Sequence, residues 1–169
     1  MKIAKRILIG LVVLVIAFCV FAVWYKNTYS MEVVSPYAVN DAHLPTKLLV
    51  ATQGSEFKDQ ITASLVNRYH QDSVYISVID VSSLKDVKPE DYKAIIVMHT
   101  WENWKPPRPV EEFVDRTKAY SDKIIVLTTS GEGSYRMEEV DALTGASIIK
   151  HAEDYSDEII FRIEKLLKN

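Results

Sequence analysis

The sequence predicts a three-layer α/β domain, a doubly wound five-stranded parallel sheet in the order 2-1-3-4-5, preceded by one transmembrane helix. Three observations predict it. Short, continuous apolar runs recur from Lys47 onward. Segments with helical spacing of their apolar residues stand between most of them. At the N-terminus, Ile7 to Tyr25 carries no charge at all.

That first stretch is 19 residues long. As a helix rising about 1.5 Å per residue it nearly matches the ~30 Å hydrocarbon layer. A helix satisfies its own backbone groups in lipid, which makes the run a spanning candidate. Trp24 and Tyr25 close it with rings suited to the membrane interface. Lys2, Lys5 and Arg6 precede it, and after Lys26 no base appears until Lys47. The positive-inside rule then puts the N-terminus in the cytoplasm and the main domain outside the cell membrane. A cleaved signal peptide is the alternative, with Val20-Phe21-Ala22 as a fair cleavage site. A lipoprotein site at Cys19 is poorer, because bulky Phe18 precedes the cysteine. Residues 1–26 are therefore read as a membrane anchor. Residues 27–46, broken by Pro36, Asn40, Asp41 and Pro45, read as a linker.

The domain occupies residues 47–169. Its predicted strands begin with Leu48-Leu49-Val50-Ala51 and Val74-Tyr75-Ile76-Ser77-Val78-Ile79. Ala94-Ile95-Ile96-Val97-Met98 and Ile124-Ile125-Val126-Leu127 follow, then the weaker Ser147-Ile148-Ile149. Such β-branched runs suit parallel strands buried on both faces. Ile61, Leu65, Val66 and Tyr69 share one helical face, as do Val110, Phe113, Val114 and Thr117. Ile159, Ile160, Ile163, Leu166 and Leu167 form the last stripe, and Met137, Val140 and Leu143 suggest a short helix before the fifth strand. Right-handed crossovers then leave few topologies. In the order 2-1-3-4-5 the ligand crevice lies beyond the carboxyl ends of strands one, three and four.

Composition narrows the function. The 169 residues hold 20 Lys+Arg and 23 Asp+Glu. Four bases and no acid lie in residues 1–26, so the remainder has 16 bases against 23 acids, a net of -7. Such a surface repels phosphate backbones and argues against nucleic acid as a partner. Cys19 alone can form neither an internal disulfide nor a cysteine-based zinc site. The four histidines lack metal-ligand spacing, although His99 ends a strand beside the crevice. Neither a Gly-x-Ser-x-Gly elbow nor a Gly-Lys-Ser/Thr phosphate loop occurs, and no catalytic acid or base stands out.

The three strand ends carry Thr52-Gln53-Gly54-Ser55-Glu56-Phe57, His99-Thr100-Trp101-Glu102-Asn103-Trp104 and Thr128-Thr129-Ser130-Gly131-Glu132-Gly133-Ser134-Tyr135. With Glu90-Asp91-Tyr92-Lys93-Ala94-Ile95-Ile96-Val97 before the second of these, residues 47–169 resemble the flavodoxin family. The resemblance implies a flavodoxin-like fold, bound FMN and electron transfer. It implies that Trp101 (or Trp104) and Tyr135 flank the flavin ring. Backbone amides around Gly54, Gly131 and Gly133, and the nearby Thr100, would meet its polar edges. Thr52, Gly54 and Ser55 would meet the phosphate at a helix start. Glu56 and Phe57 depart from the family there, since a carboxylate near the helix start competes with phosphate. Ser55 capping the helix, with Glu56 complementing its dipole, is the structural alternative.

A second stretch, Val140-Asp141-Ala142-Leu143-Thr144-Gly145-Ala146-Ser147, resembles the acceptor motif of extracytoplasmic flavoproteins that carry FMN covalently. It implies attachment through the Ser147 hydroxyl. In the plainer reading Gly145 ends a helix and Ser147 starts the fifth strand. The function expected is that of a membrane-anchored extracytoplasmic flavoprotein passing electrons to a membrane redox partner. The alternative is a cofactor-free module that uses the same aromatic loops to bind a protein or small molecule.

Overall fold

The computed structural model describes residues 2–29, 31–102 and 104–168. The chain divides into two compact units, one ending at Met31 and the other beginning at Glu32. The first is a single helix, α1 (Lys2–Tyr29). Within it Ile3–Trp24 has a mean hydropathy of 3.1. It is long and apolar enough to cross a membrane.

The second unit contains β1 (Tyr37–Val39), β2 (Thr46–Thr52), α2 (Glu56–Tyr69), β3 (Val74–Asp80), β4 (Ala94–Thr100), α3 (Arg108–Arg116), β5 (Ile124–Thr129), β6 (Asp141–Gly145) and α4 (Ala152–Lys168). Its sheet runs β1-β3-β2-β4-β5-β6. Every neighbouring pair is parallel except β1 on β3. The five parallel strands thus stand in the predicted order 2-1-3-4-5, and β1 adds an antiparallel sixth at one edge. This is a flavodoxin-like fold.

Alternation along the strands feeds two cores. Leu48, Val50, Ile76, Val78, Ile96 and Met98 point to the face covered by α2 and α4. Leu49, Ala51, Ile95, Val97, Ile124 and Val126 point to the face covered by α3 and the short 3-10 turn at Val81–Asp86. Ile95, Ile96, Val97 and Met98 are completely buried, so β4 is the centre of the sheet. Truncating Ile96 to alanine costs about 2–5 kcal/mol by lost burial and the cavity left behind.

Three expectations need correction. The fifth parallel strand is Asp141–Gly145, not Ser147–Ile149. Its pairing with Ile125–Thr129 puts Ala142 in one core and Leu143 against the other, which Ile148 and Ile149, both largely exposed, do not achieve. The short helix expected around Met137, Val140 and Leu143 is absent, and residues 130–140 cross from β5 to β6 as irregular chain. Gly145 therefore ends a strand. A Cβ there would lie 1.7 Å from the Tyr155 hydroxyl, which donates to the Thr144 carbonyl at 3.0 Å.

The segment expected as a linker over 27–46 also behaves differently. From Glu32 onward it is a strap laid on the domain. The Val34 N–H donates to Asp80 Oδ2 at 3.0 Å, and β1 pairs with β3. Asn40, at φ 69°, sends its amide to the Val74 carbonyl at 2.7 Å. These bonds are tertiary, which is why no local period announces them.

Candidate functional site

The carboxyl ends of β2, β4 and β5 meet at one rim, and their polar residues form a network. The Lys58 side chain, from the first turn of α2, is fully buried there. Its ammonium donates to Thr100 Oγ1 at 2.7 Å and to Ser55 Oγ at 3.4 Å. Burial lowers its pKa to about 8, against the opposing pull of the Asp59 and Glu102 carboxylates. The Thr100 and Thr129 hydroxyls lie 3.0 Å apart. Gln53 ties the first loop to the second: its Oε1 accepts from the Thr100 N–H at 2.7 Å, and its Nε2 donates to Glu102 at 3.0 Å. His99 lies beneath the rim rather than facing a crevice. Its Nε2 is 3.0 Å from Thr128 Oγ1, and burial lowers its pKa to about 4, keeping the ring neutral.

Trp101 follows β4, and its backbone N–H donates to the Thr129 carbonyl at 2.7 Å. Tyr135 is carried by the loop after β5. That loop turns through Gly133 at φ 67°, where a Cβ would strike the backbone of Gly145 and Ala146. The Thr144 hydroxyl donates to the carbonyls of Gly133 and Tyr135. So anchored, the Tyr135 ring stacks on Trp101 with centroids 5.3 Å apart and planes 7° from parallel. The sequence reading brought these two residues to one place. The resemblance implied that they flank a flavin ring, and in this structure they stack directly on each other instead. Trp104, in the left-handed conformation at φ 60°, is 81% exposed and takes no part in the pair. Among the described residues the buried Trp101 Nε1 and Ser130 Oγ have no hydrogen-bond partner. A Cβ at Gly131 would meet open space, and a groove of about 540 Å³ flanks Trp101 on the α3 side.

The first loop is built differently. Ser55 caps α2, accepting from the Lys58 N–H at 3.4 Å, as in the structural alternative. The Thr52 hydroxyl is buried and donates to the Gln53 carbonyl at 3.1 Å. The Gly54 N–H is already bonded, donating to the Glu32 carbonyl at 2.7 Å. Glu32 Cβ and its carbonyl oxygen both lie 2.9 Å from where a Gly54 Cβ would be. Ser147 is exposed just past β6, with Ala146 packed under the Gly133 turn.

Comparison with protein-family models and with curated proteins gives no match. Solved structures with similarity to the chain include a flavodoxin from the domain Archaea, at 19% identity and a TM-score of 0.48, covering 72% of this chain and 99% of that one. Oxidised Flavodoxin 2 from Bacillus cereus, at 15% identity and a TM-score of 0.44, covers 71% of this chain and 99% of that one. The Flv1 flavodiiron core from Synechocystis sp. PCC6803, at 13% identity and a TM-score of 0.41, covers 69% of this chain and 28% of that one. The class of the domain, flavodoxin-like, stands on its own strand order and two-sided helix cover.

Fitted against FMN, the two ends of the site differ. The ring end has the groups a flat heteroaromatic would need, two parallel aromatic rings, two orphaned polar groups and open space at Gly131, but the rings are in contact and would have to part to admit one. The phosphate end does not suit a phosphate monoester, because the chain's own Glu32 occupies the Gly54 amide. Lys58, Gln53 and the strap are the residues that the sequence reading missed. One signal for Lys58 was available: it shares a helical face with Ile61, Thr62 and Leu65, all directed to the core or its margin.

Proposed function

We propose that the loops after β4 and β5 bind a flavin ring at Trp101 and Tyr135, and that the domain transfers electrons through it. The stacked ring pair is the observation that carries this reading. Three flat rings at about 3.5 Å spacing need the outer two about 7 Å apart, so the pair parts to admit a third. Parting gives up one aromatic stack and gains two. The Trp101 indole Nε1–H and the Ser130 hydroxyl supply polar contacts, and the buried strand ends keep water from the inner side of the site. The redox chemistry is that of the flavin when bound. In this reading α1 anchors the protein in the cell membrane, with the N-terminus cytoplasmic, the domain extracytoplasmic and a membrane redox partner within reach.

Two observations favour a second reading, the cofactor-free binding module: the rings already satisfy each other, and Glu32 already satisfies Gly54. Purification of the full chain from its own envelope, with visible spectra before and after denaturation, separates the two. A yellow protein, or one that takes up added flavin with quenching of tryptophan fluorescence, supports the flavin reading. Colour that stays on the denatured chain and disappears in Ser147→Ala assigns the attachment to that hydroxyl. A colourless chain that ignores added flavin establishes the module instead.

A further inference from the structure

We propose that the strap makes this site selective for a flavin that lacks its terminal phosphate, riboflavin rather than FMN, with Glu32 as the specificity-determining residue. The inference rests on the reading that Trp101 and Tyr135 receive a flavin ring, and concerns what the other end of the site accepts. Phosphate binding at a loop of this kind uses backbone N–H groups left unsatisfied before a helix. Here the strap consumes one of them. The Gly54 N–H donates to the Glu32 carbonyl at 2.7 Å, and the Glu32 N–H returns a bond to the Gly54 carbonyl at 3.3 Å. The approach is so close that even a methyl group on Gly54 would lie 2.9 Å from Glu32 Cβ. A phosphate at that amide has to displace the strap.

Displacement is opposed at more than one point. The Val34 N–H is held by Asp80 Oδ2 at 3.0 Å, and Asp80 Oδ1 also caps the following 3-10 turn through the Ser82 N–H at 2.8 Å. Charge opposes it too. Glu32 is exposed beside the loop, Glu56 opens α2, and Glu102 is bonded to Gln53. A phosphate monoester brings about -1.5 to -2 further charges at neutral pH. The Lys58 ammonium below the loop favours an anion, but it is engaged by Thr100 and Ser55 and already lies in the field of Asp59 and Glu102. The ring pair stands on the loops after β4 and β5, so a flavin ring with a neutral ribityl tail avoids these conflicts.

The test titrates the full chain in detergent with riboflavin and with FMN separately, following tryptophan fluorescence and the flavin spectrum. Riboflavin is expected to bind at least tenfold more tightly than FMN. The double variant Glu32→Gln, Val34→Pro removes the strap's charge and its bond to Asp80, so that the Glu32 backbone contact with Gly54 remains but is held less firmly against displacement. It should strengthen FMN binding about tenfold while leaving riboflavin binding unchanged, which also shows that the variant is folded. FMN binding as tight as riboflavin in the native chain overturns the proposal. So does a double variant with an unchanged preference. If neither flavin binds, the flavin reading itself fails, an outcome distinct from FMN being preferred.

Discussion

Trp101 and Tyr135 lie face to face, 5.3 Å between centroids and 7° from parallel, although they come from loops after different strands. Each ring is the other's cover. Replacing either leaves the partner half solvated and removes a stacking face for a ligand. Trp101→Ala should weaken flavin binding about 100-fold, and Tyr135→Ala about 10-fold, because the indole is the larger and more buried surface. Trp101→Phe should retain most of the affinity. Fluorescence titration of the three variants checks the order.

Lys58 sets an alkaline dependence of stability. Its pKa is lowered to about 8 in the folded chain from an ordinary 10.5. Between those values the unfolded chain holds the proton and the folded chain has lost it, so stability rises with pH. From pH 8 to 10 chemical denaturation should show a gain of up to about 3 kcal/mol. Above pH 10 the rise is opposed by Tyr69, whose pKa burial raises to about 12. Lys58→Met should flatten the rise between pH 8 and 10.

His99 works at the acid end. Burial lowers its pKa to about 4 from 6.5. As pH falls through 6.5 the unfolded chain gains a proton that the folded chain refuses. Stability should therefore drop between pH 6.5 and 4, by up to about 3 kcal/mol. His99→Gln removes this component, and comparison of unfolding midpoints across that interval isolates it from the carboxylates.

Gly145 and Tyr155 define a fourth expectation. A side chain at 145 collides with the phenol that bonds the Thr144 carbonyl. Gly145→Ala should destabilise the domain by about 1–3 kcal/mol. In the Tyr155→Ala background the same change should cost much less. A double-mutant cycle on unfolding midpoints measures the difference.

The four inner strands are legible in the sequence because each is a continuous β-branched run, as burial on both faces requires. β6 was misplaced because Asp141-Ala142-Leu143-Thr144-Gly145 is short and half polar, while Ile148-Ile149 looks more like a strand. Its position is decided by pairing with β5, which no local pattern encodes. The strap escaped for the same reason, since its bonds to Gly54, Asp80 and Val74 all span long stretches of chain. Trp101 and Tyr135 were found through a family resemblance and their meeting through topology. Lys58 was missed because lysine in the first turn of a helix ordinarily reaches water.

The crossing from β5 to β6 has no helix, and this gives the sheet a soft margin. Residues 130–140 lay only Met137 and Val140 against the core, and β6 has a single neighbouring strand. Amide protons there should exchange with solvent far sooner than those of β4, which is clamped between two strands. If the stack opens, Tyr135 on this margin is therefore expected to move while Trp101, next to the end of β4, keeps its place.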